Sequence, residues 1–347
     1  MNRFFRGFTA TPAARAHERF EEIRRRLAAV PCYDEDDTEV GGNILQLDVN
    51  RGRFLKPCPG QKGNVCCGYW VVEWGMGCPY RCQYCVLQVY QTPGRVLWYL
   101  NWEQILLEIA EVRSRTSGIL RIGTGEFGDS LALEEAFPLN AFLAERLSDW
   151  PDVVLEVKSK RAGIMAMRDW PNKERIIAAF SLNPAALIDR FESGTADLES
   201  RLAFARQASA WGLRPAFHFD PLLPVPGWEH LYEAALTRVS EMAGDLPIAW
   251  FSLGVLRFPK GFPETVIGEY PETKLFFEEC YPCSDGKMRM FRPFREKVYR
   301  FLLDRLSVLF PKTTVYLCME SPDVWRRLPR PEASSAQLKG LLDSVVE

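Results

Sequence analysis

Three cysteines in the first third of the chain have a spacing that suits metal chemistry. Cys78, Cys82 and Cys85 form a C-x3-C-x2-C motif, and Gly77 and Pro79 suit the tight turn that it needs. Thiolates hold iron–sulfur clusters, and a four-iron cube commonly takes four of them. With three thiolates, one iron keeps an open position for the donors of a substrate or cofactor, as an open zinc site does. The motif therefore predicts a [4Fe–4S] cluster with one open iron.

The alternatives for these thiols are a structural zinc site and a chance grouping. Zinc ribbons usually pair two C-x2-C units, and no fourth ligand follows the triplet at that spacing. The cluster is therefore the favoured interpretation.

The chain has ten cysteines and no secretory signal, which predicts metal binding or reactive thiols rather than a disulfide framework. We expect Cys32 and Cys318 to be small buried hydrophobes. The other five could supply an auxiliary cluster, a zinc site or a thiol hydrogen donor, or could be buried or oxidisable bystanders. They are Cys58, Cys66, Cys67, Cys280 and Cys283.

Strand-like and helix-like segments alternate after residue 62. The strands are short, rich in β-branched and aromatic residues, and bounded by turn residues; they are Tyr69–Trp74, Gly118–Ile122, Val153–Val157, Arg175–Ser181, Arg214–Phe219 and Ile248–Leu253. The helices show apolar residues at helical spacing; they are Trp102–Val112, Glu134–Leu147, Leu198–Ala210, Trp228–Met242 and Phe294–Leu309. This alternation predicts a parallel sheet with crossover helices, either open or curled into a full or partial barrel.

Polar residues follow the predicted strands at the edge where α/β folds gather their chemistry. The cysteine triplet follows the first strand and a glycine loop the second. The next three strands end in Lys158 and Ser159, in Ser181 and Asn183, and in His218 and Asp220. The last pair could bind substrate or cofactor, and a purely structural histidine is an equal alternative.

The glycine loop after the second strand allows two interpretations. Gly123-Thr-Gly125-Glu-Phe-Gly128 fits G-x-G-x-x-G, which is typical of dinucleotide sites. A lone match is weak, and the acidic partner of such a site is not evident. The other interpretation is a binding loop in which Gly125 allows close backbone approach and Glu126 or Asp129 accepts hydrogen bonds from a ligand ammonium group.

The triplet after the first of six βα units resembles the radical S-adenosylmethionine superfamily, and within it the spore photoproduct lyase family. The motifs that carry the closer resemblance run in order along the chain: Tyr84-Cys85-Val-Leu-Gln-Val-Tyr90, Asp129-Ser-Leu-Ala-Leu133, Val157-Lys158, Phe180-Ser181-Leu-Asn183, Gly227-Trp228 and Tyr270-Pro-Glu-Thr-Lys-Leu275. The resemblance implies an α/β fold, a partial (β/α)6 TIM-like barrel with N- and C-terminal extensions. We place the boundaries at 1–62, 63–260 and 261–347.

The resemblance also implies cofactors and a reaction. The open iron would chelate S-adenosyl-L-methionine, an electron from a partner such as flavodoxin or ferredoxin would cleave it, and the 5′-deoxyadenosyl radical would abstract hydrogen from substrate. Lys158 and Ser181 match positions that contact the cofactor in that family, and we expect Gly125, Glu126, Asp129 and Asn183 at the cofactor as well. Tyr84 matches a tyrosine implicated in returning the hydrogen.

Two positions depart from the family pattern. The lyase has a second active-site tyrosine just after the last cluster cysteine, where this chain has Val86. Its hydrogen-donating cysteine lies three residues before an aspartate, and counting back from Asp129 gives Glu126. A carboxyl group cannot donate a hydrogen atom as a thiol does. We therefore expect a divergent relative with another substrate or another hydrogen donor.

Composition narrows the alternatives. The chain has 347 residues, 47% of them hydrophobic, and a formal net charge of -2, which is typical of a globular protein and not of a dedicated nucleic-acid binder. No apolar run could span a bilayer, so we expect a cytoplasmic protein without membrane contact. A basic group near the C-terminus could grip phosphates or form an ion-paired surface; its members are Arg257, Lys287, Arg289, Arg292 and Arg295.

The leading hypothesis is thus a lyase-like radical enzyme that acts on a nucleic-acid lesion, with DNA repair as its context, or on a nucleotide. A radical enzyme acting on a small biosynthetic intermediate is the first alternative. A non-catalytic, zinc-stabilised nucleic-acid-binding protein and a nicotinamide-dependent oxidoreductase are the others.

Overall fold

A computed structural model describes residues 18–19, 21–23, 25, 33–34, 39–40, 43–60, 63–90, 95–276, 278–329 and 334–347. Residues 18–19, 21–23 and 25 are helical, and Cys32 lies outside the described residues. Within those ranges, no helix is long and apolar enough to cross a membrane.

The described part of the chain contains eighteen strands. In chain order, β1 to β18 are Tyr33–Asp34, Glu39–Val40, Asn43–Asp48, Leu55–Pro57, Trp70–Val72, Gly75–Met76, Arg81–Cys82, Arg95–Tyr99, Leu120–Gly123, Val153–Ser159, Ile176–Ser181, Glu192–Ser193, Arg214–Leu222, Trp250–Val255, Arg257–Pro259, Cys280–Pro282, Lys287–Met290 and Thr314–Leu317.

Besides the helical residues near the N-terminus, the described residues contain nine α-helices. In chain order, α1 to α9 are Glu103–Arg113, Leu139–Arg146, Ala185–Phe191, Leu198–Ala210, Trp228–Ala243, Phe262–Glu269, Arg292–Leu309, Pro322–Arg326 and Ser335–Val346. Three short 3-10 helices accompany them, at Val86–Val89, Met165–Asp169 and Lys173–Arg175.

The main sheet confirms the predicted α/β fold. Across it the strands follow the order β18-β14-β13-β11-β10-β9-β5-β4, and neighbours are parallel except for β4, which pairs antiparallel with β5 at one edge. Strands β11 and β14 are buried along their whole length, as strands covered on both faces are. The helices between them make this a partial TIM-like barrel.

All six predicted strands are present, and the sheet has a further parallel strand that the sequence analysis assigned to the C-terminal extension. Strand β18 pairs with β14 from Trp250 opposite Thr314 to Leu253 opposite Leu317. It is only four residues long, too short for a clear periodicity. The extension thus contributes a strand to the barrel, and the domain boundaries stay a prediction.

Two helices begin two or more residues from their predicted start, each because of a proline. Helix α2 begins at Leu139 and not at Glu134, because Pro138 disfavours helical backbone in the residue before it. Helix α7 begins at Arg292, two residues early, because Pro293 fits the first helical turn, where its missing N–H costs nothing.

A second, smaller sheet packs beside the barrel. It has the order β1-β2-β3-β8-β6 among the described residues. The indole of Trp98 on β8 lies between Trp74 and Phe137, with ring centroids 4.1 Å and 4.3 Å away. All three rings are buried. This aromatic stack joins the small sheet to the segments that carry the cysteine and glycine loops.

We predict that Trp98→Ala lowers the free energy of unfolding by about 3–5 kcal/mol, because it leaves a cavity between two buried rings. Urea unfolding followed by circular dichroism measures this. Val308→Ala is the matched control, since Val308 is 74% exposed and its truncation should change stability by less than about 0.5 kcal/mol. Equal small losses in both variants would show that the stack does not stabilise the fold.

Candidate active site

A cavity of about 480 Å³ opens at the carboxyl ends of the parallel strands. The three cysteines of the triplet line it, together with Tyr84 and five of the six residues predicted at the cofactor. The five are Gly125, Glu126, Asp129, Lys158 and Ser181. The structure therefore brings together residues that lie up to 103 positions apart, from Cys78 to Ser181.

The cysteine loop is a tight turn fixed to the glycine loop. Gly77 has a φ of 116°, in the region that favours glycine, and its N–H donates to the carbonyl oxygen of Phe127 at 2.8 Å. The N–H of Cys85 donates to the carbonyl oxygen of Cys82 at 3.0 Å. A 3-10 helix, Val86–Val89, follows directly. The turn predicted for Gly77 is thus present.

The three thiols suit a cluster better than a single metal ion. Burial raises the pKa of each thiol, so in the absence of a metal they are neutral. Within the described residues, no three His, Cys, Asp or Glu side chains are grouped closely enough to hold one metal ion. A cube separates its thiolate ligands more widely than a zinc ion does. The donor set, three thiols facing one cavity, fits a cube with an open corner.

A buried ion pair beneath the cavity stabilises the cysteine loop. Arg201 on α4 donates to the carboxylate of Glu192 at 2.6 Å, and both side chains are fully buried. Arg201 also donates to the backbone carbonyl of Ser181 at 2.8 Å. Although burial opposes ionisation, the Arg201 guanidinium holds the pKa of Glu192 below its ordinary value. Glu192 is therefore an ionised acceptor beneath the cavity.

Glu192 ties Tyr84 to the same support. The Tyr84 hydroxyl donates to Glu192, and strand β12, which contains Glu192, pairs with β7, which contains Cys82. Asn183 donates to Glu192 at 3.0 Å and accepts from Tyr232 at 2.8 Å. Asn183 lies outside the cavity lining. The structure thus places it in the support of Tyr84, and its predicted role at the cofactor remains a prediction.

The glycines of the second loop are required by close contacts within the protein. A Cβ on Gly125 would lie 2.7 Å from Cβ of Lys158, and one on Gly128 would lie 2.4 Å from the backbone oxygen of Gly77. A Cβ on Gly123 would overlap the Tyr69 hydroxyl. These close approaches explain the G-x-G-x-x-G spacing without a pyrophosphate, which argues against the dinucleotide interpretation.

The two charged residues of this region pair with each other. Lys158 donates to the carboxylate of Glu126, and both side chains line the cavity. Burial opposes the charge on Lys158, but the carboxylates of Glu126 and Glu156 together raise the pKa of the ammonium group. The site therefore contains a preformed ion pair at the position where the family pattern has a thiol.

Asp129 organises the loop rather than facing the cavity as an open acceptor. Its carboxylate accepts from the Ser159 hydroxyl at 2.6 Å and from the backbone N–H groups of Leu131, Ala132 and Lys160 at 3.0, 2.9 and 2.6 Å. These bonds fix the ends of β10 and the glycine loop together. Binding of a ligand ammonium group by Asp129 stays a prediction.

Beneath the cavity lies a buried acid and a buried histidine. Glu156 on β10 lies 3.7 Å from Nε2 of His218 on β13, which accepts a hydrogen bond from the Trp250 indole at 3.4 Å. Burial raises the pKa of Glu156 to about 7 and lowers the pKa of His218 to about 3. His218 is therefore a neutral, structural histidine at physiological pH.

The basic residues near the C-terminus are ion-paired. Arg257 donates to Asp220 at 2.8 and 3.1 Å, with both residues lining the cavity. The other pairs join Arg289 and Lys287 to Asp285, Arg295 to Glu320, and Arg292 to Glu296. The phosphate-gripping interpretation is thus weakened, and the ion-paired alternative describes this group.

The remaining cysteines do not gather as one second site. Cys280 and Cys283 belong to the hairpin of β16 and β17, whereas Cys58, Cys66 and Cys67 lie in and near the loop before β5. All are free and partly exposed. Cys318 is also partly exposed, which corrects the expectation of a small buried hydrophobe. Its sulfur accepts a hydrogen bond from Arg257 at 3.7 Å.

Comparison with known proteins identifies the family. The family model for spore photoproduct lyase matches residues 66–292, about two thirds of the chain. The chain belongs to the spore photoproduct lyase family. Membership implies a radical S-adenosylmethionine enzyme with a [4Fe–4S] cluster, and it confirms the resemblance seen in the motifs.

Curated relatives in this family are distant. The spore photoproduct lyase of Clostridium acetobutylicum is 22% identical over 84% of this chain and 87% of its own length. Those of a Geobacillus strain and of Bacillus subtilis are each 25% identical, over 58% and 60% of this chain. The alignments with these two span 61% and 63% of the relatives' length.

Solved structures of spore photoproduct lyase share the fold. One, complexed with dinucleoside spore photoproduct, has a TM-score of 0.71 at 19% identity and covers 79% of this chain and 82% of its own. Another, a mutant with bound AdoMet and dinucleoside spore photoproduct, has a TM-score of 0.70 at 19% identity with the same coverage. At this identity the likeness establishes the partial barrel.

Several cavity residues were missed from the sequence. Lys160 lines the cavity two positions after Lys158, on the same face of the chain, and its ammonium group lies 5.8 Å from the Tyr84 ring. The i, i+2 spacing at a strand end could have indicated it. Tyr80, inside the triplet, and Met319, just after β18, also line the cavity. Met319 had no signal, because β18 itself was missed.

We predict that Arg201→Met lowers the free energy of unfolding by about 3–5 kcal/mol, because it leaves the Glu192 carboxylate buried without its partner. Arg206→Met on the same helix is the control, since its pair with Asp245 is exposed and should contribute only about 0–1 kcal/mol. Urea unfolding of cluster-free protein measures both. A difference below about 1 kcal/mol between the variants would contradict the assigned role.

We also predict a pH-dependent effect of Glu156→Gln. Between the ordinary glutamate pKa of 4.5 and the folded value of about 7, the folded chain keeps a proton that the unfolded chain has lost, so wild-type stability falls as the pH rises. The stability of Glu156→Gln relative to wild type should therefore increase by about 2–3 kcal/mol from pH 5 to pH 8.

Urea unfolding at the two pH values measures this difference. Glu145→Gln, at an exposed position, is the control and should show no such change. A Glu156→Gln advantage that stays constant or shrinks with rising pH would show that Glu156 is not a buried acid with a raised pKa.

Proposed function

We propose that this chain is a radical S-adenosylmethionine lyase that acts on a pyrimidine lesion of the spore photoproduct type, in a nucleic acid or a dinucleotide. The observation that carries the proposal is the convergence of three cluster thiols with Lys158 and Ser181 on one cavity. Family membership supports the reaction class. The dinucleoside spore photoproduct bound in the related structures supports the substrate class.

When bound, the cofactors would supply the radical chemistry, the reductive cleavage of S-adenosylmethionine to a 5′-deoxyadenosyl radical. The chain's own residues bind, orient and shield. Cys78, Cys82 and Cys85 would hold the cube. Gly125 leaves space in the cavity, because any side chain at this position would clash with Lys158. Ser181, at the end of a fully buried strand, would fix the cofactor's position.

The lining of the cavity suits a flat, partly charged substrate. Tyr80, Tyr84 and Phe127 offer aromatic faces, and Lys160 adds a positive charge near Tyr84. Aromatic faces stack on nucleobases with little dependence on sequence. The proposal includes a role for Tyr84 in hydrogen return and for Glu126 as the paired acid of Lys158. A one-electron donor of the flavodoxin or ferredoxin class completes the proposed system.

Glu126 and Val86 keep one alternative open, a small biosynthetic intermediate as substrate. Both residues line the cavity at positions where the family pattern has a cysteine and a tyrosine. Anaerobic incubation with deuterium-labelled candidate substrates separates the two, because only the lesion should promote transfer of deuterium from the labelled substrate into 5′-deoxyadenosine.

The proposal keeps a second metal site as a secondary hypothesis. Its ligands would be Cys58, Cys66 and Cys67, or Cys280 and Cys283. Iron and zinc analysis of anaerobically purified protein tests it. About four irons and no zinc per chain would leave a single cube. A higher iron content or bound zinc would establish the second site.

We predict that Cys82→Ala abolishes both the brown chromophore and 5′-deoxyadenosine release, because two thiolates cannot hold the cube in place. The assay is anaerobic incubation with dithionite, S-adenosylmethionine and dinucleoside spore photoproduct, followed by mass spectrometry. Cys283→Ala, on the hairpin, is the matched control and should keep both properties. Persistence of the chromophore or of 5′-deoxyadenosine in Cys82→Ala would refute the assignment.

A further inference from the structure

The cavity has an exposed aromatic side chain that the proposed function leaves unused. Nine large hydrophobic side chains are exposed among the described residues, and of these only Val86 and Tyr90 line the cavity. Single exposed apolar residues are common on protein surfaces and need no explanation. An exposed aromatic ring that also lines a ligand cavity is different, because part of a ligand can lie against it.

The exposure of Tyr90 places its ring at the mouth of the cavity. Tyr84 and Tyr90 both line the cavity, but Tyr84 is only 7% exposed whereas Tyr90 is 63% exposed. Tyr84 therefore lies in the interior, beside the cluster thiols. Tyr90 faces both the cavity and the solvent, so it can contact a part of the substrate that stays outside.

The backbone of Tyr90 is fixed to the cysteine loop. Tyr90 follows the 3-10 helix Val86–Val89, and its N–H donates to the carbonyl oxygen of Leu87 at 3.1 Å. The side-chain amide of Gln88 donates to the carbonyl oxygen of Cys82 at 2.9 Å. Leu87 is buried, and helix α6 packs against this 3-10 helix. The protein thus fixes the position of the Tyr90 backbone relative to the cluster loop before any ligand binds.

The cavity can enclose only part of a nucleic-acid strand. Its volume of about 480 Å³ lies in the range of sites that bind a small molecule, roughly 300–1,000 Å³. The cofactor and the lesion must both occupy this space. The nucleotides on either side of the lesion therefore remain outside, next to the mouth and to Tyr90.

A lesion that enters the cavity leaves its neighbouring bases with an unstacked face. Drawing bases out of a strand breaks their stacking, which costs free energy. An aromatic side chain replaces the lost contact, because every base has a π face. Tyrosine suits an exposed position of this kind, since its ring is apolar and its hydroxyl stays in water.

We propose that Tyr90 stacks on a base next to the lesion, so that the substrate is a lesion within a longer strand rather than a free dinucleotide. This inference rests on the proposed function and narrows its substrate class. Stacking of this kind has little dependence on sequence, so any of the four bases can occupy the neighbouring position. Tyr90 then contributes to affinity for the strand and takes no part in the radical chemistry.

The test is a double-mutant cycle between Tyr90 and the neighbouring bases. It uses the cluster-loaded, full-length enzyme and two single-stranded oligonucleotides that carry the spore photoproduct. One has ordinary bases on both sides of the lesion, and the other has abasic sites there. For the wild type, kcat/KM should be roughly tenfold lower with the abasic strand, mainly through a higher KM, because the stacking is lost equally from the ground and transition states.

Removal of the ring should remove this difference. For Tyr90→Leu, kcat/KM for the two strands should differ by less than about twofold, and Tyr90→Gln, a second ring-free variant, should give the same result. Tyr90→Phe is the matched control, because it keeps the ring and should keep the wild-type difference. The brown chromophore and the circular dichroism spectrum of each variant report a folding defect separately.

Two results would overturn the role of Tyr90. One is an equal loss with the abasic strand in the wild type and in both ring-free variants. The other is a wild type that converts both strands with the same kcat/KM. Failure of the proposed function is distinct from both, because the wild type would then convert neither the oligonucleotides nor dinucleoside spore photoproduct.

A second readout needs no turnover. Without dithionite, the fluorescence anisotropy of end-labelled strands gives Kd for each enzyme and strand at one salt concentration. The wild type and Tyr90→Phe should bind the strand with ordinary bases roughly tenfold more tightly than the abasic strand, and Tyr90→Leu should bind the two about equally. The same ratio of Kd values in the wild type and Tyr90→Leu would contradict the proposal.

Discussion

The carboxylate of Glu192 is the point on which the cysteine loop depends. A charge without solvent contact is tolerated only when paired and hydrogen-bonded, and Arg201, Tyr84 and Asn183 all donate to this one group. Each donor comes from a different part of the chain. The ion pair thus joins α4, the end of β11 and the cysteine loop into one unit, so the positions of the cluster thiols follow from the packing of the barrel.

The parallel sheet explains why the cavity residues meet at all. Strands β10, β11, β13, β14 and β18 lie side by side in register, so their carboxyl ends present Lys158, Ser181, Asp220 and Cys318 along one curved edge. Because the sheet is curved, this edge surrounds the cavity that the cysteine triplet lines. The chemistry of the cavity is therefore set by a few strand-end positions, which can change while the strands remain.

The sequence predicted the six central strands because buried parallel strands are nearly continuous apolar runs, as Ile176–Ser181 is. It predicted an iron–sulfur cluster at the triplet, because three cysteines at this spacing rarely serve another function. It did not predict β18, whose four residues lack a periodicity, and so it missed Met319 at the cavity. It could not show that the Asn183 side chain donates to Glu192, because sequence order does not reveal side-chain direction.

Glu126 changes two properties of the cavity at the position where the family pattern has a cysteine. An acid at this position removes a thiol from the cavity and also neutralises the charge on Lys158 through a direct ion pair. The Lys158 and Glu126 side chains are 20% and 26% exposed, so solvent partly screens the pair, and any change at position 126 alters the charge beside Lys158. The opposite side of the cavity has a balanced pair of its own, because Arg257 donates to Asp220. Ion pairs on both sides therefore set the charge of the cavity before any ligand binds.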